Sequence, residues 1–151
     1  MMSLKTPEWT TGILLNALQD VELFTSGRAS IELIDGADAS LHIVMHEYGD
    51  LPIFMTVSGE QILAEAVLWP ASAVTDPVGF NETLLRTHKY FPLSSICLDS
   101  VSGDEDYYQM FGSLSSGSVL ASVVFEIEIL ASNVIQATEA YSEFLNVKVE
   151  A

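Results

Sequence analysis

Apolar positions first recur four apart and then two apart, and this change of period lays out the elements of the chain. Trp9, Ile13 and Ala17 follow helical spacing, and Leu14 and Leu18 widen their stripe. Ahead of them Thr6-Pro7-Glu8 supplies an N-cap, a proline at the first helical position and an acid at the positive end of the dipole. A helix ending near Asp20 is predicted. From Arg28 the period is two. Ile31 and Leu33, then Leu41, Ile43 and Met45, flank the turn composition Asp35-Gly36-Ala37-Asp38 and read as a hairpin. Beyond Gly49-Asp50, Ile53, Met55 and Val57 alternate, with Pro52 near the strand start where a lost ladder donor is tolerated. Ile62 to Trp69 reads as strand or helix, because Ala64, Glu65 and Ala66 weaken the β signal.

Asp76-Pro77 repeats the opening device of cap and proline. Phe80, Leu84 and His88 then fall four apart, Glu82 can pair with Arg86, and this central helix stops before Pro92. Tyr107 to Leu114 and Val119 to Leu130 read as a hairpin joined by Ser115-Ser116-Gly117-Ser118, with Val119, Ala121, Val123, Phe125, Ile127 and Ile129 on one face. A closing helix from about Ser132 carries Val134, Thr138, Tyr141 and Leu145. Asp99 to Asp106 reads as a solvated loop. The order of elements predicts a single α+β domain over 1–151, an antiparallel sheet with an N-terminal, a central and a C-terminal helix.

Composition changes this picture in one respect. The chain is 49% hydrophobic and carries 21 acidic against 5 basic residues, a formal charge of −16, although charged residues make up only 17% of it. Ordinary domains hold roughly a quarter, so the acidity reflects scarce Lys and Arg and not an acidic run. An anionic surface repels phosphate backbones and anionic lipid and is complemented by basic protein. The partner expected is therefore a protein, basic or membrane-associated, with no nucleic acid and no direct membrane insertion. No apolar run approaches the ~20 residues of a spanning helix, since Ser122, Glu126 and Glu128 interrupt the stretch from Val119 to Leu130. No signal peptide is evident, and the lone Cys97, between Ile96 and Leu98, reads as a buried, inert thiol in a reducing cytoplasm.

Candidate chemistry is sparse. His42 and His46 have the four-residue spacing of a helical zinc pair, but in a strand that spacing separates them by about 13 Å, too far for one ion with ~2.1 Å bonds. Asp104, Glu105 and Asp106 lack the spaced oxygens, central glycine and terminal glutamate of a calcium loop. Gly112 to Gly117 does not match a nucleophile elbow. His88 lies between Arg86 and Lys89, which read as cations at the negative end of the central helix before they read as an anion site. Trp9, Trp69, Tyr90 and Phe91 are assigned to the core. No catalytic residue, cofactor site or metal site is assigned, and an enzyme would have to use His42, His46 or His88 with a scattered carboxylate.

Asp50-Leu51-Pro52-Ile53-Phe54, the stretch Leu84-Leu85-Arg86-Thr87-His88-Lys89-Tyr90-Phe91-Pro92-Leu93-Ser94-Ser95-Ile96, and Asn133-Val134-Ile135 resemble the YjfI-like family of small uncharacterised bacterial proteins, over nearly the whole chain. The resemblance implies a cytoplasmic protein often encoded beside membrane-stress proteins similar to phage-shock protein A, and names no reaction. Size, charge and element order are also loosely similar to type III secretion chaperones, which dimerise and bind extended client segments. The expectation is a non-enzymatic acidic binding or adaptor protein. Its alternatives are a chaperone-like homodimer, an enzyme with scattered residues, and an acidic mimic of nucleic acid.

Overall fold

The computed structural model describes residues 8–100, 103 and 105–145. Its strands are β1 (Ala29–Ile34), β2 (Ser40–Met45), β3 (Leu51–Ser58), β4 (Gln61–Pro70), β5 (Ser95–Ser100) and β6 (Asp106–Ser115), and its helices are α1 (Thr11–Gln19), α2 (Glu22–Thr25), α3 (Pro77–Thr87) and α4 (Leu120–Ala140). The strands form one antiparallel sheet in the order β1-β2-β3-β4-β6-β5. This is the α+β architecture predicted, with Ile62 to Trp69 resolved as a strand.

Strand alternation divides the sheet into two faces. Leu41, Ile43, Met45, Ile53, Met55, Ile62, Ala64, Ala66, Ile96 and Met110 point one way and are buried. Against them pack Leu14 and Leu18 of α1 and Val123, Ile127, Leu130, Ala131 and Ala137 of α4. Ala64 and Ala66, which blur the β pattern in the sequence, face α4 beside Gly112, the register partner of Ala64. Small side chains there let the helix approach the strands closely. At the other end of β4, Phe80 of α3 meets Tyr108, Tyr141 and Phe144 with ring centroids 5.0, 5.4 and 5.3 Å away, which fastens α3 to the same face.

Several sequence expectations change. The first helix is capped by Thr10, whose hydroxyl accepts from Ile13 N at 3.3 Å, while the expected cap Thr6 and Pro7 lie outside the described residues. Trp9 precedes that helix and donates its indole N–H to Ser118 O at 2.7 Å. Tyr90, assigned to the core, is exposed. The largest change is in Val119 to Leu130, which is no strand: it is the first half of α4, continuous with the closing helix expected from Ser132. Its β-branched run satisfies both periods, and packing decides. Val123, Ile127, Leu130 and Val134 are buried at helical spacing, whereas Phe125, which a strand would place with Val123 and Ile127, is 54% exposed. The partner of β6 is instead β5, closed by Ser100 opposite Asp106, so Asp99 to Asp106 spans a hairpin connection. Val101, Ser102 and Asp104 of that segment lie outside the described residues. By length and composition α4 could also cross a membrane, contrary to the sequence expectation, but its apolar stripe is spent on the sheet.

One polar group is caught in this interface. Glu126 of α4 is 1% exposed, neither carboxyl oxygen has a hydrogen-bond partner among the described residues, and a Cβ on Gly112 would run into it while lying 3.2 Å from Leu93 O. Burial raises its pKa to about 7. A carboxyl whose pKa is raised by folding favours the folded state while protonated and loses that advantage as pH climbs from its ordinary range to the raised value. At about 1.4 kcal/mol per tenfold change in proton affinity, the loss is on the order of 3 kcal/mol. Glu126→Gln is expected to flatten the pH dependence of unfolding free energy between about 4.5 and 7 and to exceed the wild type above it. Parallel curves from urea titrations at pH 5 and 8 would show that the carboxyl is solvated. Gly112→Ala is expected to cost about 1–3 kcal/mol, part of it recovered when Glu126→Ala is added, because the two positions share one space. Strict additivity in the double-mutant cycle would contradict that contact.

Candidate functional site

The face of the sheet turned away from α1 and α4 presents a row that crosses every strand. In register, Glu32 stands opposite His42, His42 opposite Phe54, Phe54 opposite Glu65, Glu65 opposite Phe111, and Phe111 opposite Ser95. Val44, Leu63, Val67 and Cys97 lie on this face beside the row and are half-buried, and Phe54 is 38% exposed. A half-apolar surface on rigid strands is the kind that marks a binding site when it is contiguous and uncovered.

Its electrostatics are one-sided. His42 stacks on Phe54 with ring centroids 5.0 Å apart and planes 13° off parallel, and its Nδ1 is 3.1 Å from Glu32 Oε1. Glu65, between Phe54 and Phe111, has no hydrogen-bond or ion-pair partner among the described residues. Burial, reinforced by the charge of Asp99, lifts its carboxyl above the usual range. The described cations are elsewhere. Arg28 is held by Glu22, with Glu47 and Glu128 each at 3.4 Å, Arg86 pairs with Glu82 at 3.1 Å, and Lys89 lies 5.3 Å from the ring centre of Tyr90.

The histidines are not brought together. His42 is in β2, His46 follows it in the 3-10 turn His46–Tyr48 with Nδ1 2.7 Å from Asp50 Oδ1, and His88 opens the 3-10 turn after α3, where its Nδ1 accepts from Ile96 N at 3.2 Å. Each imidazole therefore has a local structural partner. Among the described residues no three His, Cys, Asp or Glu side chains are placed to hold a metal ion. Arg86 and Lys89 do lie at the end of the central helix, as expected. A recess of about 270 Å³ between α3 and the end of α4 is lined by Thr83, Thr87, Phe91, Tyr141 and Phe144, and its Thr87 and Tyr141 hydroxyls bond each other at 2.7 Å. Glu126, the most strongly perturbed carboxyl, is buried out of reach of a substrate in this conformation.

Glu65 is the candidate residue that sequence reading missed. The signal was present, since alternation sets a residue between Ala64 and Ala66 on the opposite face from both, but the ambiguity of that segment hid it. Cys97 is half-buried on the same face and not in the core. Burial, then the charges of Asp99 and Glu65, raises its thiol. Alkylation of Cys97 at pH 7 is accordingly expected to be slower than that of a free cysteine and to quicken in Glu65→Gln. A rate equal to that of a free thiol would contradict the placement.

A family model described as an uncharacterized protein conserved in bacteria, DUF2170, matches residues 8–145. The uncharacterized proteins YjfI of Escherichia coli K12 and of Escherichia coli O157:H7 are each 35% identical over 136 residues, 90% of this chain and 97% of theirs. The crystal structure of YbjN from Escherichia coli is similar with a TM-score of 0.57 and 19% identity, over 85% of this chain and 93% of that one, a likeness of fold. Family match and relatives coincide with the stretch that forms the sheet and its helices, and the chain belongs to the DUF2170 family as a YjfI-like protein.

Proposed function

We propose that the chain is a non-enzymatic protein-binding or adaptor protein that engages its partner through the sheet face opposite α1 and α4. The observation that carries this reading is the combination of Val44, Phe54, Leu63, Val67 and Phe111 on a face to which no described helix packs. Backbone rigidity favours it, because residues fixed on strands lose little freedom on binding. The anionic surface favours a basic or membrane-associated partner over nucleic acid. The cytoplasmic setting and the link to a membrane-stress system belong to the same proposal and rest on the family resemblance. A second copy of the chain, the chaperone-like alternative, is one outcome of the test.

The test is cross-linked affinity capture at native expression in the source bacterium, comparing the wild type with Phe54→Ser/Leu63→Ser on the open face and Ile135→Ser on the outer side of α4. A partner kept by Ile135→Ser and lost by the double variant is expected. Equal recovery by all three, or no partner above background, would overturn the reading.

A further inference from the structure

Glu65 is unusual in its setting. It is flanked across the sheet by Phe54 and Phe111, lacks a partner among the described residues, and shares its face with Glu32 and Asp99 but with no Lys or Arg among those residues. The one base there, His42, is engaged with Glu32. A half-apolar surface with an unneutralised acid at its centre is poorly suited to a second copy of itself, since pairing two such faces brings like charges together in a drying interface, where repulsion strengthens. It suits a partner of opposite charge and similar apolarity.

The spacing narrows the form of that partner. Phe54, Glu65 and Phe111 stand on three adjacent strands, so they are about 4.8 Å apart from one to the next. One turn of α-helix rises about 5.4 Å, whereas alternate residues of an extended chain are about 6.6 Å apart. Helical spacing is the closer match. We infer that Glu65 is the anchor of a docking site for an amphipathic helix, pairing with a Lys or Arg that lies one turn from an apolar residue on either side, while those two residues pack on Phe54 and Phe111. The inference rests on the proposed use of this face and adds the chemistry of the occupant. The paired charge becomes shielded from water as the apolar neighbours close over it, which makes the contact specific as well as attractive.

Three synthetic 18-residue helical peptides test it with the full chain: one with Leu, Lys and Leu at successive turns of a single stripe, one of the same composition with Lys moved off the stripe, and one with Glu in place of Lys. The first is expected to bind, to shift the NMR signals of Val44, Phe54 and Leu63, and to weaken about tenfold or more in Glu65→Lys. Glu139→Lys makes the same change of net charge on the exposed side of α4 and is expected to change affinity by less than about threefold. Glu65→Gln preserves the side-chain shape, so its loss of affinity is expected even if Glu65→Lys disturbs folding, which circular dichroism would reveal. Equal binding by the two Lys peptides, or equal effects of Glu65→Lys and Glu139→Lys, would reduce the attraction to bulk charge and overturn the site. Shifts confined to the helix side would overturn the face as well. If Phe54→Ser/Leu63→Ser loses the natural partner while Glu65→Gln leaves peptide affinity unchanged, the face stands and the cationic anchor falls.

Discussion

Everything in this fold depends on one seating, that of α4 against Ala64, Ala66, Met110 and Gly112 on one face of the sheet. The helix supplies more of the buried apolar surface than any other, and α1 and α3 are arranged around it on the same side. Because the apolar stripes of all these helices are directed to one face, the other is left to strand side chains alone. Part of the apolar side-chain surface that this one-sided core leaves uncovered lies on that second face as Phe54, Leu63, Val67 and Phe111. Covering and exposure are thus two results of the same packing.

The two perturbed glutamates mark the two faces. Glu126 is trapped between α4 and β6, where Gly112 leaves it room, no donor reaches it among the described residues, and burial raises its pKa to about 7. Glu65 is reached by solvent yet flanked by rings, and among the described residues it lacks the arginine or lysine that a stability role would supply. An unpaired buried carboxyl lowers stability at neutral pH without serving recognition, whereas an unpaired carboxyl on an uncovered apolar surface is available to a partner. In the proposed docking, the general acidity of the chain adds long-range attraction to a cationic segment and Glu65 supplies the short-range selection that bulk charge lacks.

Sequence periodicity located β1 to β3 and α3 because each has one dominant pattern and a local punctuation mark, such as Asp76-Pro77 before α3 or Gly49-Asp50 before β3. It failed where two patterns coexist. Val119 to Leu130 alternates as a strand does while also placing Val123, Ile127 and Leu130 on one helical side, and only packing against the sheet decides between them. For the same reason the chain hid its candidate site. Glu65 lies between two alanines whose smallness reflects the approach of α4, a tertiary fact with no local signature, and Glu126 looked like an interruption of an apolar strand. The histidines, conspicuous in sequence, proved to be individually partnered. Family resemblance placed the chain among its relatives without indicating which surface works.

The central claim is that the sheet is covered on one side only. Solvent paramagnetic relaxation of methyl groups in the purified full chain measures this directly: Val44, Leu63 and Val67 should relax strongly on adding a soluble gadolinium chelate, while Ile43, Ile62 and Ile127 stay protected. Protection of both sets would contradict the account, because it would mean that the second face is already occupied.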